Sequence, residues 1–578
     1  MTARQSIAHA DLALARRVGG AGWGVSALGG LAAAVGTLLP WTYDASFGGD
    51  LTYSFYPGGI QWWTLVIGVA TALGAALARS GSSIAAWAGG AARAGAVWGV
   101  VLMVLAVVEI TRTLGGTVNV APGAWLSLVG ALVALVGSRA LPRAPLAGSV
   151  EADRPRAAGR RVPAPLGIGV VVATVAMGLL AAVVLLNEVD PVRFVAFGLF
   201  LGAAVTVLHR AGVVGWTGAQ TRRFGAVFAV AGFLAAAAFP FTQNGSDANM
   251  SIAVQVLIFS AAAIGLNIVI GYAGLLDLGY IAFVGAGAYT SAILSGSIFA
   301  TVGWRPPFAV VMLLGAAVSA LLGLIIGLPT LRLRGDYLAI VTLAFGEIFR
   351  ITVNNLGGEN GPNVTGGPNG IAAIPGLDFG GFAFESSHVV LGVTLGSFSN
   401  YYLLLLVLIG AIVFAVSRVA QSRIGRGWVA IREDETAAEA MGINTFRLKL
   451  LAFSGGALLA GLGGTIKAHA DTSSVPDNYQ FLYSSFLVAA IVLGGMGNIA
   501  GVILGSTILI LLPEKLRFFQ DNRLLLFGLL LVLMMRFRPE GLLPSSRRKL
   551  ELHTDQDPGE LGAPGALGAP RPTPGAAT

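Results

Sequence analysis

Runs of mostly apolar residues, separated by short polar or glycine-rich stretches, recur along the whole 578-residue chain. A helix needs about 20 such residues to cross a bilayer, and about sixteen runs qualify as candidates. The first six lie near 21–40, 62–78, 94–110, 123–138, 164–186 and 194–209. The next ten lie near 224–240, 250–271, 280–296, 308–328, 337–353, 401–417, 450–466, 483–497, 500–513 and 524–537. Several are short for a full span, and the pair 483–497 and 500–513 fits a re-entrant hairpin or broken helix, tolerated only where protein shields it. A polar, proline-bearing, basic stretch at 141–164 reads as a linker. It divides an accessory region, 1–163, from connecting helices at 164–223 and a motif-dense core at 224–545. The tail, 546–578, is charged and then rich in Pro, Gly and Ala; it cannot bury a core and reads as disordered.

Composition narrows the class. Hydrophobic residues make up 55% and charged residues 11%, against about 25% charged in soluble domains. A soluble enzyme, a secreted disulfide scaffold and a disordered protein are thereby excluded, and an all-α polytopic membrane protein remains. The net charge of +8 marks cytoplasmic loops rather than nucleic-acid binding, because basic residues collect on the cytoplasmic side. Arg4, Arg16, Arg17, Arg79 and Arg93, the arginines of 139–163, Arg210, Arg222, Arg223, Arg332, Arg334 and the stretch 418–449 fall on one parity; 354–400 has no Lys or Arg. That parity puts both termini in the cytoplasm. Loop 514–523 fits it least, since Lys515, Arg517 and Arg523 fall outside. The first apolar stretch is long and lacks a cleavage pattern, so it does not read as a signal peptide.

Chemistry is sparse. There are no cysteines, and neither the phosphate-cradling G-x-x-x-x-G-K-[ST] loop nor the zinc-binding H-E-x-x-H helix occurs. Catalysis and resident metal or cofactor binding are therefore not expected; transport or signalling is. The strongest local feature is SRIGRGWVAIREDETAAEAMGINTFRLK, Ser422 to Lys449, where Arg423, Arg426 and Arg432 precede Glu433, Asp434, Glu435 and Glu439. Good helix formers from Gly427 to Met441 predict one helix, stopped at Gly442. Ala437, Ala438 and Met441 give it a small apolar face of the kind that sits in another protein's groove. A solvated loop made basic by topology is the plain alternative, though it leaves the acidic cluster unexplained.

This helix resembles the coupling loop of ABC importer permeases, which docks into the ATPase. Of the E-A-A-x-x-x-G spacing it matches Ala437, Ala438 and Gly442; Thr436 takes the Glu position, and Glu435 lies one residue early. The wider stretch from Gly425 to Phe453 resembles the branched-chain amino acid permeases of the LivH/LivM family. So do GYAGLLDLGYIAFVGAGAYTSAIL, LPTLRLRGDYLAIVTLAFGEIFRITVNN, TGGPNGI and the closing RPEGLLP. The second of these is closer to the LivM type. The resemblance spans about 224 to 545 and leaves 1–223 uncovered.

The resemblance implies a translocation subunit for leucine, isoleucine and valine in the bacterial inner membrane. It also implies a second, LivH-like permease, two cytoplasmic ABC ATPases holding ATP–Mg, and an extracytoplasmic binding protein as partners. Arg432, Glu433, Asp434, Glu435, Ala437, Ala438, Glu439 and Gly442 would form the coupling loop. Candidate pathway residues are Asn267, Asp277, Tyr280, Tyr289, Thr290 and Glu347. Three have a plain alternative: an interhelical hydrogen bond for Asn267, a helix cap for Asp277, and an i, i+3 ion pair with Arg350 for Glu347. The glycines of 271–287 allow close helix approach or unwinding. Gly357–Gly370, outside by parity, is either a docking site for the binding protein or a flexible connector. Two other functions stay open: a related ABC permease for urea, short amides or other amino acids, and an ion-coupled secondary transporter.

Overall fold

The computed structural model describes residues 21–43, 59–79, 85–141, 163–331, 336–358 and 362–515, with scattered positions from 525 to 543, apart from 189, 244, 380 and 391. The linker 142–162, the tail and most of the expected run at 524–537 lie outside the described residues. In chain order the first helices are α1 (Gly22–Gly36), α2 (Ile60–Ala78), α3 (Ala85–Leu114), α4 (Pro122–Ser138), α5 (Ala164–Asn187), α6 (Pro191–Arg210), α7 (Val213–Arg223) and α8 (Gly225–Ala238). Then come α9 (Asp247–Asn267), α10 (Ile281–Ile293), α11 (Phe308–Thr330), α12 (Asp336–Asn355), α13 (Ser397–Gln421), α14 (Arg423–Glu433), α15 (Glu435–Ala440), α16 (Thr445–Ala470), α17 (Phe481–Gly494) and α18 (Ile499–Lys515). Ten of the described helices are long and apolar enough to cross a membrane, so the protein is an all-α multi-pass membrane protein. Two features depart from or add to the sequence reading. The basic stretch 210–223, expected as a loop, holds α7, which starts at the left-handed Gly212. And 378–395, within the stretch 354–400 that lacks Lys and Arg, forms two small hairpins, Asp378–Phe379 with Phe382–Ala383 and His388–Val390 with Val393–Leu395.

Among the described residues two large apolar cores divide the helices, with two small clusters beside them. In the first, α1 and α4 meet through glycine: a Cβ on Gly29 would lie 2.3 Å from the Ala134 nitrogen, and one on Gly130 2.4 Å from that of Ala33. Lipid gives little hydrophobic drive between helices, so small residues that let backbones approach supply the packing. Trp63 of α2 packs its ring against Phe197 and Phe200 of α6, each 5.6 Å away. Ala196 and Ala203 of α6 belong to the same core. In contrast, Leu179, Ala182, Val183 and Leu186 of α5 pack against the second core, which runs from Phe239 to Val502. The seam between the cores therefore passes between α5 and α6, inside the stretch expected only to connect.

The long helix α16 organises the second core. A Cβ on Gly464 would lie 2.0 Å from the Val284 carbonyl of α10, and one on Gly287 2.2 Å from that of Gly461. Gly464→Val is accordingly expected to cost about 1–3 kcal/mol by overpacking and to lower the melting temperature in detergent. Gly455→Ala meets nothing within 4 Å and should be neutral or slightly stabilising; equal stability of the two variants would contradict this packing. The α17–α18 pair is a helical hairpin turning at Gly495 and Gly497, both at positive φ. With 14 residues, α17 is about 21 Å long, short of the roughly 30 Å hydrocarbon core. At the far end of α18, Lys515 Nζ donates to the carbonyls of Leu186 (2.5 Å) and Glu188 (3.0 Å). The cation thus satisfies the open C-terminus of α5, which explains a lysine on the side where the charge parity did not expect one.

Candidate functional site

The expected site residues fall into three places. The first is a break in the membrane core. After Asn267, α9 widens into a π-turn, Ile268–Tyr272, and the chain is non-helical until α10 begins at Ile281. Gly274, at φ +74, makes the exit. Asn267 is fully buried, and its Oδ1 accepts from the Gly497 amide at 2.9 Å, joining α9 to the α17–α18 turn. Asp277 is 1% exposed, and its Oδ1 accepts from the Gly279 amide at 2.9 Å, an Asx-type turn. Tyr280 donates its hydroxyl to the Gly456 carbonyl of α16 at 2.5 Å. Gly279 lies against α12, where a Cβ would meet the Thr342 carbonyl at 1.8 Å. The glycines expected to permit unwinding or close approach thus do both; Asn267, Asp277 and Tyr280 each make one hydrogen bond at the break, while the buried Asn267 Nδ2 and Asp277 Oδ2 have no hydrogen-bond partner among the described residues.

The second place is at the opposite ends of α10, α12 and α16. Tyr289 of α10, Phe349 of α12 and Tyr479, in a short 3-10 turn, form a three-ring cluster with centroids 5.8–6.5 Å apart. Glu347 and Arg350 lie beside it. Arg350 Nε and Nη2 donate to Glu347 Oε1 at 3.0 and 2.5 Å, and Nη1 reaches Asp477 Oδ1 at 3.5 Å. Glu347 remains 44% exposed and Arg350 27%. The i, i+3 pair is present as sequence spacing allows, but the arginine bridges two acids. Thr290 is not part of the cluster: its hydroxyl back-bonds to the Ala286 carbonyl at 2.7 Å.

Sequence reading missed Asp477 and a second ionic group near it. Lys467 pairs with Asp471, whose Oδ1 also accepts from Gln255 of α9 at 2.7 Å. The Lys467 to Asp471 spacing was a visible i, i+4 signal. The polar stretch after α12 is no loose connector where it is described. Thr365 donates to the Val353 carbonyl at 2.5 Å, and Ile371 exchanges two backbone hydrogen bonds with Ser474.

The third place is the loop between α13 and α16. The single helix expected from Gly427 to Met441 is two helices, because Asp434 turns extended (φ −155°, ψ 111°) and caps α15 by accepting from the Thr436 and Ala437 amides. An acidic N-cap satisfies orphan amides and the helix dipole together. Gly442, at φ +83, ends α15 as expected. The expected apolar face is divided: Ala438 is buried against the protein, while Ala437 is exposed and Met441 is 83% exposed. Glu433, Asp434 and Glu439 are exposed; Glu435 is turned inward to Lys449 Nζ at 2.5 Å. Arg432 also points inward, donating from Nη1 to the Gly271 carbonyl at 2.7 Å. The outward surface therefore includes Glu433, Asp434, Ala437, Glu439 and Met441, held on two short helices whose inner sides are anchored.

Comparison with known proteins gives the family. The family model for the branched-chain amino acid transport system permease component matches residues 249–535. The high-affinity branched-chain amino acid transport system permease protein LivM of Salmonella typhimurium is 39% identical over 348 residues, 58% of this chain and 78% of that protein. LivM of Escherichia coli is 38% identical over 353 residues, with the same shares. The galactose/methyl galactoside import permease protein MglC of Escherichia coli is more distant, 26% identical over 282 residues, 46% of this chain and 79% of that protein. No solved structure matches the chain.

Proposed function

The chain belongs to the branched-chain amino acid permease family, LivM type, and we propose that it forms part of the translocation pathway of an ATP-driven importer of leucine, isoleucine and valine. A second permease of LivH type completes the pathway, two cytoplasmic ATPases bind ATP–Mg, and an extracytoplasmic protein delivers the substrate. The observation that carries this reading is the capped helix pair α14–α15, which presents Glu433, Glu439 and Met441 outward between two spans. A secondary transporter has no use for such a docking surface. Alternating access then consists of ATPase-driven movement of this loop biasing the spans between two states. Residues 224–545 are the permease core, and 1–163 belongs to an accessory region that continues through α6, which packs against α2.

Relationship to the galactose/methyl galactoside import permease MglC makes the substrate class a matter for test. Membranes holding the full set of subunits should take up labelled leucine, with isoleucine and valine competing. Urea, short amides and galactose should not compete. Competition by urea or galactose but not by valine would reassign the substrate.

Charge asymmetry supports an inner-membrane orientation with both termini cytoplasmic. Val389 is 72% exposed and Met441 83%, and the chain has no native cysteine. An impermeant thiol reagent is expected to label Val389→Cys in intact spheroplasts and Met441→Cys only after permeabilisation. The reverse pattern would invert the orientation.

A further inference from the structure

Where α9 breaks, the carbonyl of Gly271 has left the helical ladder. The neighbouring ladder bonds are closed by the amides of Ala273, to Ile268, and Leu275, to Val269. A carbonyl released inside a packed membrane core must find another donor. Arg432, in the last turn of α14, supplies it from Nη1 at 2.7 Å, across 161 positions of sequence. The contact is not an end-on touch. The stem of Arg432 lies along Gly274, where a Cβ would sit 2.9 Å from Arg432 Cγ and 3.2 Å from its Cβ. On the other side of the same turn, a Cβ on Gly271 would lie 2.0 Å from Asn267 Oδ1 and 2.7 Å from the Gly497 amide. One turn of backbone is thus clasped between the cytoplasmic loop and the α17–α18 hairpin.

The loop end of this clasp is stiff. Trp428 is buried and donates from Nε1 to the Leu448 carbonyl at 2.7 Å, and Glu435 pairs with Lys449 at 2.5 Å. Both tie the loop to the first turns of α16. Arg432 therefore sits on the same tied unit as the outward face of α14 and α15, and it bonds the break in α9.

We propose that Arg432 is the link that transmits loop movement to the broken span: a positioning residue that acts through the Gly271 carbonyl rather than by touching substrate or ATPase. The inference rests on the reading of this loop as the ATPase-docking element. Its test uses the complete complex. Arg432→Met keeps the stem beside Gly274 and removes the donor; Arg432→Lys keeps a donor. Uptake per ATP hydrolysed is expected to fall at least ten-fold in Arg432→Met and to recover at least three-fold of that loss in Arg432→Lys. A cysteine at Leu276, which is 39% exposed in the break, is expected to change its labelling rate on nucleotide binding in the otherwise wild-type protein and not in Arg432→Met. If Arg432→Met does not accumulate, Arg432→Leu, which also lacks a donor, is read by the same two measurements. Unchanged coupling, or an undiminished nucleotide response at Leu276→Cys, would overturn the inference. Loss of ATPase co-purification in Arg432→Met would also overturn it, by making Arg432 part of the docking surface while leaving the docking reading intact. If ATPases co-purify equally with wild type and with Glu433→Lys/Glu439→Lys, the docking reading itself fails, and the link fails with it.

Discussion

Replacing Glu433 and Glu439 together by lysine is expected to reduce ATP-driven uptake at least ten-fold, with ATPase co-purification falling in parallel. Both carboxylates are exposed on the outward side of the loop, so the fold should scarcely register the change. Surface substitutions away from caps and ion pairs typically cost within about 0.5 kcal/mol each. Glu435 and Asp434 are different in kind, although all lie in one acidic cluster. Reversing Glu435 would place a lysine against Lys449, whose side chain is 6% exposed, and Asp434→Ala would remove the α15 cap, at about 1 kcal/mol. A reversal including Glu435 would therefore confuse docking with folding. Normal uptake and normal co-purification in the Glu433/Glu439 double reversal would remove the loop from the docking surface.

Arg350→Gln is expected to be the most damaging single neutralisation at the aromatic end of the core. It leaves the carboxylates of Glu347 and Asp477, both now held by one guanidinium, facing each other without a cation. Glu347→Gln leaves Arg350 its contact with Asp477 and should be milder for insertion. Breaking one side of a fully buried pair costs about 3–5 kcal/mol; with Glu347 44% exposed, screening brings the figure toward about 1 kcal/mol. Removing both charges should restore insertion close to that of wild type. Uptake per inserted molecule then separates two roles for Glu347. If it lines the pathway beside Tyr289 and Tyr479, the double variant still transports at least ten-fold more slowly. Full recovery of uptake would leave the pair structural only, and Glu347 would no longer count among the pathway residues.

What the sequence made legible follows from the range of the interactions. Apolar runs reveal spans because bilayer thickness sets their length, and 250–271 or 401–417 needed no partner to be recognised. The Glu347–Arg350 pair is likewise local, one helical turn apart. Asp477 joins it from 127 positions away, and nothing local announces that. The break at Asp434 was hidden for another reason: Arg432, Glu433 and Glu435 all favour a helix, and the one residue between them that prefers a cap was read as part of the run. The Phe379–Phe382 hairpin has a local signal, since a Gly-Gly pair between short strand-forming residues is a recognised turn signal. Of the pathway candidates, Asn267, Asp277 and Tyr280 were placed by residue type alone, and only the fold shows them bonded into the walls of a broken span. The inward turn of Arg432 had no sequence signal at all, because its partner is a backbone carbonyl in another helix.

Energy source is the property that most directly separates a subunit of an ATP-driven importer from a carrier working alone. The measurement is leucine accumulation in proteoliposomes containing this chain with its partner subunits and binding protein, with ATP–Mg supplied on the side of the α14–α15 loop. The predicted result is accumulation that requires ATP, persists when ionophores collapse every ion gradient, and is lost with the Glu433/Glu439 reversal. Accumulation by this chain without ATP, following an imposed ion gradient, would contradict it.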